Sequence, residues 1–156
     1  MDEDILAAVS DALRRGDLAV VDASRWFDEI ERAFPAGYNR ILWERVPGAE
    51  LSLVLATPRQ IHADELAERL AMQRATVEGW LRTRQAPPAG DVVWIGDSTD
   101  FGLRMAEDVM LREFPALMSL PQHSYFFPED MGWCLNYLME GELRFGRRVI
   151  PSPASP

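Results

Sequence analysis

The chain has 156 residues and a mass of 17.7 kDa, enough for one domain with a sizeable core and no need of a disulfide or metal staple. A single cysteine, Cys134, excludes an internal disulfide and a cysteine zinc site, and no apolar run reaches the roughly 18 residues of a membrane-spanning helix. All 16 basic residues are arginine, set against 25 acids for a net charge of −9, a balance that repels nucleic acid and anionic membrane and favours a basic partner.

In chain order, Met1-Asp2-Glu3-Asp4 is too acidic for a signal peptide, so a reduced, cytoplasmic setting is expected. Asp4 to Arg15 reads as a helix, with Ile5, Ala8, Val9, Ala12 and Leu13 on one stripe and Gly16 as its stop. Asp22 or Ser24 caps a second helix that runs to Phe34, before Pro35. Arg40–Val46 and Glu50–Ala56 read as strands joined by Pro47-Gly48-Ala49, with Leu51, Leu53 and Leu55 alternating onto one face. Thr57, Pro58 and Gln60 together signal a helix start, and helical pattern runs to about Arg84, where Pro87-Pro88-Ala89-Gly90 breaks it. Val92-Val93-Trp94-Ile95 is a strand of the fully buried kind. A helix is expected from about Asp100 to Phe114, ended by Pro115. Three antiparallel strands follow, His123–Phe127, Trp133–Met139 and Glu142–Phe145, with Glu140-Gly141 as the last tight turn.

This order predicts an α+β fold, a mostly antiparallel sheet of about six strands with helices packed on it, as a single domain over residues 1–146. The proline-rich end, 147–156, reads as a disordered tail.

Chemistry-bearing residues are sparse. Trp94-Ile95-Gly96-Asp97-Ser98 resembles the first block of the GDS-type (SGNH) serine hydrolases. That family also needs an Asp-x-x-His block, and neither His62 nor His123 has an aspartate three residues before it. A serine without a base is a poor nucleophile, so Asp97, Ser98 and Thr99 are read as a turn and the chain as a non-enzyme. The two histidines stand 61 residues apart, outside any ligand pattern, and no third carboxylate joins Asp97 and Asp100 or Glu129 and Asp130. No metal and no cofactor is expected.

Residues 64–84 resemble the helix-turn-helix of phage-repressor-type regulators. Ala67 matches the small contact residue, and Val77 and Trp80 match the apolar anchors of the second helix. The resemblance implies that Arg74, Thr76 and Arg82 would face DNA. The turn position, usually glycine, is Ala71, and Leu66, Leu70, Val77 and Leu81 also suit one continuous helix.

The aromatic, acidic C-terminal half, Tyr125–Trp133 and Tyr137–Gly146, looks like the small acidic immunity proteins of bacterial toxin systems. That resemblance implies an inhibitor that covers a cognate, basic toxin protein, with no membrane involved. The expected contact residues are Glu129, Asp130, Trp133, Tyr137, Glu140 and Glu142. At about 3.3 Å per residue, the two acidic groups flank one strand on the order of 20 Å apart, too far to share a metal.

Overall fold

The computed structural model describes residues 1–57, 59–83 and 90–151. The break expected at Pro87-Pro88-Ala89 lies outside the described residues, as do residues 152–156 of the expected tail.

The fold is α+β. Its centre is a seven-stranded sheet, antiparallel throughout, built from β1 (Leu18–Asp22), β4 (Glu50–Leu53), β5 (Val92–Gly96), β6 (Phe101–Met105), β7 (Ser124–Pro128), β8 (Trp133–Leu138) and β9 (Glu142–Arg147). The spatial order is β1-β6-β5-β7-β8-β9-β4. A two-stranded ribbon, β2 (Ala36–Gly37) with β3 (Arg40–Ile41), stands apart.

Side-chain alternation divides the core into two layers. Val92, Trp94, Leu103, Phe126, Leu135, Leu143 and Phe145 point to one face. There they meet α1 (Asp2–Ala8), α2 (Ser10–Arg14), α4 (Ala63–Ala71), α5 (Arg74–Arg82) and α6 (Glu107–Met118). Val93, Ile95, Tyr125, Phe127 and Cys134 point to the other, under α3 (Trp26–Ala33) and a short 3-10 helix, Trp43–Arg45. β5 is therefore buried along its whole length, as its apolar run predicts.

Several expected elements differ. The first helix breaks at Val9, whose φ of −118° is not helical. Two strands are not evident in the sequence. β1 lies in the interval between the first two helices. β6 occupies the first turns of the helix expected from Asp100, and the two strands pair with each other from Leu18 opposite Met105 to Asp22 opposite Phe101. The strand expected over Arg40–Val46 survives only as β3, because Trp43 turns inward. Its indole N–H donates to Oδ1 of the buried Asn136 at 2.8 Å, and its ring lies where a side chain at position 146 would be, 2.8 Å from a Cβ built on Gly146. Only glycine admits that approach. Helix α4 starts at Ala63, not near Thr57, because His62 supplies the cap: its Nδ1 accepts the Asp64 N–H at 3.3 Å. The sheet also takes in the first residues of the expected tail. Arg147 ends β9, and the amides of Val149 and Ile150 both donate to the Ala33 carbonyl.

Pro115 does not end its helix. It sits inside α6, which continues to Met118. A proline at this position leaves the carbonyl four residues back, Leu111, without its intrahelical donor. Arg74 supplies one: its Nε donates to Leu111 O at 3.0 Å and its Nη2 to Arg112 O at 3.1 Å. Arg74→Ala should lower unfolding free energy by about 0.5–1.5 kcal/mol, the range for a net hydrogen bond at a part-buried acceptor that water can still reach. In a Pro115→Ala background the same change should cost clearly less, because alanine restores the missing N–H. Urea denaturation of the four proteins in this double-mutant cycle measures the difference.

Candidate functional site

The residues expected at a partner surface separate into distinct environments. Glu129 and Asp130 lie at one end of β8. They line a groove of about 630 Å³ with Glu29, Arg32, Met131 and Arg148. Both are engaged within the protein. Glu129 Oε1 lies 2.8 Å from Arg104 Nε, and Asp130 Oδ1 accepts the Gly132 N–H at 2.9 Å while its carbonyl accepts from Arg148 Nη1. At the other end of the strand Glu140 faces Arg40 at 3.8 Å and Glu142 pairs with Arg144 at 3.3 Å. The separation expected from strand geometry is kept, and arginines compensate three of the four acids.

Trp133 and Tyr137 correct the sequence reading. Alternation sends them to the helix-covered face, where they are 5% and 3% exposed. Trp133 packs on Phe145 at a centroid distance of 5.7 Å, and Trp80 stacks on the same ring at 5.9 Å. Neither Trp133 nor Tyr137 presents its ring to the outer surface, so the aromatic part of the expected patch is core.

The surface that sequence reasoning misses is the sheet edge. In β4, Ser52 stands opposite Leu143 and turns inward, its hydroxyl bonded to Gln73 Oε1. Leu51 and Leu53 therefore point to the opposite face, where they are 46% and 57% exposed. Across the ladder they stand opposite Arg144 and Glu142, the two members of an ion pair. The alternation of Leu51 and Leu53 is plain in the sequence, which places them on one face without saying whether that face is covered. Only the strand order reveals that β4 is the last strand and that these leucines lie past the cover of α3 and Trp43. Leu55 follows a different path and is buried. A second missed feature is acidic. The Asp100 N–H donates to Asp2 Oδ1 at 3.3 Å, which brings the acidic N-terminus beside the 97–100 turn. No group of three metal-ligating side chains forms among the described residues.

The residues expected to face DNA lie on α5. The described part of this segment forms two helices, α4 and α5, joined at Met72-Gln73, and both joining residues keep right-handed helical backbone, so Ala71 meets no glycine requirement. Thr76 and Arg82 are exposed. Arg74 is committed to the α6 carbonyls, and Val77, Trp80 and Leu81 enter the core.

The turn after β5 is organised by Gln122. Its Oε1 accepts the Ser98 N–H at 2.8 Å, and its amide and the Thr99 hydroxyl bond each other, with Nε2 donating at 2.9 Å. A Cβ at Gly96 would fall 2.2 Å from Gln122 Oε1, which accounts for the glycine. The Ser98 hydroxyl lies 3.5 Å from Asp97 Oδ1. His123, just before β7, bonds to the residue that follows β8. Its Nδ1 accepts the Met139 N–H at 3.3 Å, which requires a neutral ring. Burial first, then nearby Arg40, holds its pKa below the ordinary histidine value, against the opposing fields of Asp97 and Glu140. Cys134 is fully buried, and burial alone pushes its thiol far above the usual range.

Comparison with known proteins returned nothing: no family model, no curated protein and no solved structure matches the chain.

Two outcomes follow from the turn and the histidine. Ser98→Ala should leave stability within about 0.5 kcal/mol, whereas Gln122→Ala should cost about 1–3 kcal/mol by stranding the Ser98 N–H. A depressed histidine pKa means that the neutral-ring contribution is whole above about pH 6.5 and is lost as pH falls through the lower folded value. The carboxyls of Asp17, beside Arg112, Asp22, bonded by Ser24, and Glu65, beside Arg59, are all lowered, so they act only in more acidic solution. Urea stability should therefore fall between about pH 7.5 and 5.5, and His123→Gln should flatten part of that decline.

Proposed function

We propose that the chain is a protein-binding inhibitor of the immunity type, which neutralises a basic toxin protein by direct contact through the β4 edge. The observation that carries this reading is the pair of half-exposed leucines, Leu51 and Leu53, on the last strand of the sheet. An apolar pair at a sheet edge offers a partner both buried area and a row of main-chain groups. Charge supports the same place. Glu50 opens the strand, exposed and without an ionic partner among the described residues, and Glu142 stands across the ladder from Leu53. In a chain of net charge −9, Glu50 would steer a basic partner towards the leucines, whereas Glu142 is already paired with Arg144. Glu129 and Asp130 lie at the far end of β8, and the contact reaches them only as its outer margin.

The fold supports a binding role more readily than a chemical one. Ser98 sits in a turn, Cys134 is sealed in the core, and the His123 nitrogen Nδ1 is used structurally. No described helix is long and apolar enough to cross a membrane.

The test is co-expression with the product of the adjacent gene, scored by cell survival and by pull-down. Leu51→Arg/Leu53→Arg should abolish protection and capture while the melting temperature stays close to that of the parent, since both side chains are on the surface. Full protection by the double variant would overturn the proposed surface. A DNA mobility shift lost in Thr76→Ala/Arg82→Ala would instead favour the helix-turn-helix alternative.

A further inference from the structure

A cavity of about 430 Å³ opens on the helix-covered side of the sheet, between the segment leading into α4, the turn after α6, and the end of β8. Its volume falls within the range of small-molecule sites, roughly 300–1,000 Å³. Leu55, Ile61, Leu66, Leu120 and Met139 give it an apolar wall. Met139 is half-exposed, so the cavity reaches the surface.

One polar group inside it has no partner among the described residues. Tyr137 is 3% exposed and lines the cavity, and its hydroxyl makes no hydrogen bond to any of them. Its oxygen is not among the sealed, unpartnered atoms of the core, so the hydroxyl is open to the cavity and free to donate to a molecule that enters. Burial, and secondarily the field of Glu140, push its pKa up to about 12, so it keeps its proton and acts as a donor.

The charges around the cavity decide what kind of acceptor fits. No carboxylate among the described residues lines it, which leaves an ammonium without a counter-ion. The cationic side chain on its wall, Arg59, already pairs with Glu65 Oε1 at 2.9 Å. His62 lines the wall too, but its Nδ1 caps the Asp64 N–H. An anion would therefore be desolvated with little return, and Glu140 acts against it near the phenol.

We propose that this cavity binds an uncharged small molecule with an elongated apolar body and one carbonyl or hydroxyl oxygen, which accepts the hydrogen bond of Tyr137. The site is separate from the β4 leucines, which lie on the opposite face of the sheet, so the two readings stand or fall independently.

The experiment is a set of ¹H–¹⁵N NMR titrations of the full chain with three probes of equal chain length: 2-octanone, octanoate and octylammonium. The ketone should bind saturably, with shifts confined to lining residues such as Leu55, Ala63, Leu120 and Met139. Tyr137→Phe, which removes only the hydroxyl, should weaken the ketone about 2-fold to 10-fold, the range for one net hydrogen bond. Ala63→Leu, which fills the cavity from its half-buried wall, should abolish the shifts, and it serves as the test should Tyr137→Phe fail to fold. Absence of saturable ketone binding would overturn the proposal, as would unchanged affinity in Tyr137→Phe, or octanoate or octylammonium binding as tightly as the ketone.

Discussion

The carbonyl of Leu111 cannot be satisfied by its own helix, because the residue four places on is Pro115. Arg74 reaches from α5 and stands in as the donor. A large part of the fold depends on this bond. It allows α6 to run on to Met118 and to lay Met110, Phe114, Leu117 and Met118, all fully buried, across one face of the sheet. It also fixes α5 against α6, which aims Val77, Trp80 and Leu81 at Phe145 and its neighbours. Arginine suits the place because its planar fork delivers two donors in fixed geometry to adjacent carbonyls, which an ammonium would not match.

The opposite face is held by a different device. Asn136 is buried at 2% exposure, a costly position unless each polar atom has a partner. Its Oδ1 takes the Trp43 indole N–H, and its Nδ2 donates to the carbonyl of Ser124 across the ladder and, at 3.3 Å, to that of Tyr137. The indole thereby closes the sheet face beside α3, and Gly146 leaves it the room. This face is covered only as far as those elements reach. Beyond them the sheet continues for one more strand, and that mismatch between sheet width and cover leaves Leu51 and Leu53 in solvent.

Much of the architecture is legible in the sequence, and the failures have physical causes. The three C-terminal strands and β5 are readable because period-2 or continuous apolar runs are bounded by turn residues. β6 reads as helix because Phe101–Met105 and the helix from Glu107 abut with a single residue between them, and their summed pattern imitates one longer helix. Pro115 looks like a stop because a local rule cannot know that Arg74, more than thirty residues away, supplies the absent donor. Trp43 looks like a strand residue because its partner, Asn136, lies 93 positions on. For the site, the strand-end separation of the acids follows from geometry alone. The burial of Trp133 and Tyr137 does not, because alternation says that residues share a face without saying which face is covered.

The acidic composition also acquires a different meaning in three dimensions. Glu129, Glu140 and Glu142 each meet an arginine, so the acids that flank β8 are largely compensated locally, and such exposed pairs add little stability. The uncompensated charge gathers elsewhere, at Glu50 and where Asp2 meets the 97–100 turn. A partner drawn by long-range charge would thus be guided by acids that lie apart from the sequence cluster, then retained by apolar contact at the β4 edge. That edge runs straight into the cavity wall. Leu53 faces outward and Leu55, two residues later, lines the cavity, with the Val54 and Leu55 amides both donating to Gly141 O between them. Strict alternation would put Leu55 on the same face as Leu53, but the ladder ends at Leu53, and the turn held by the Gly141 carbonyl carries Leu55 to the other side of the sheet, so one short segment serves an outward contact and a cavity wall.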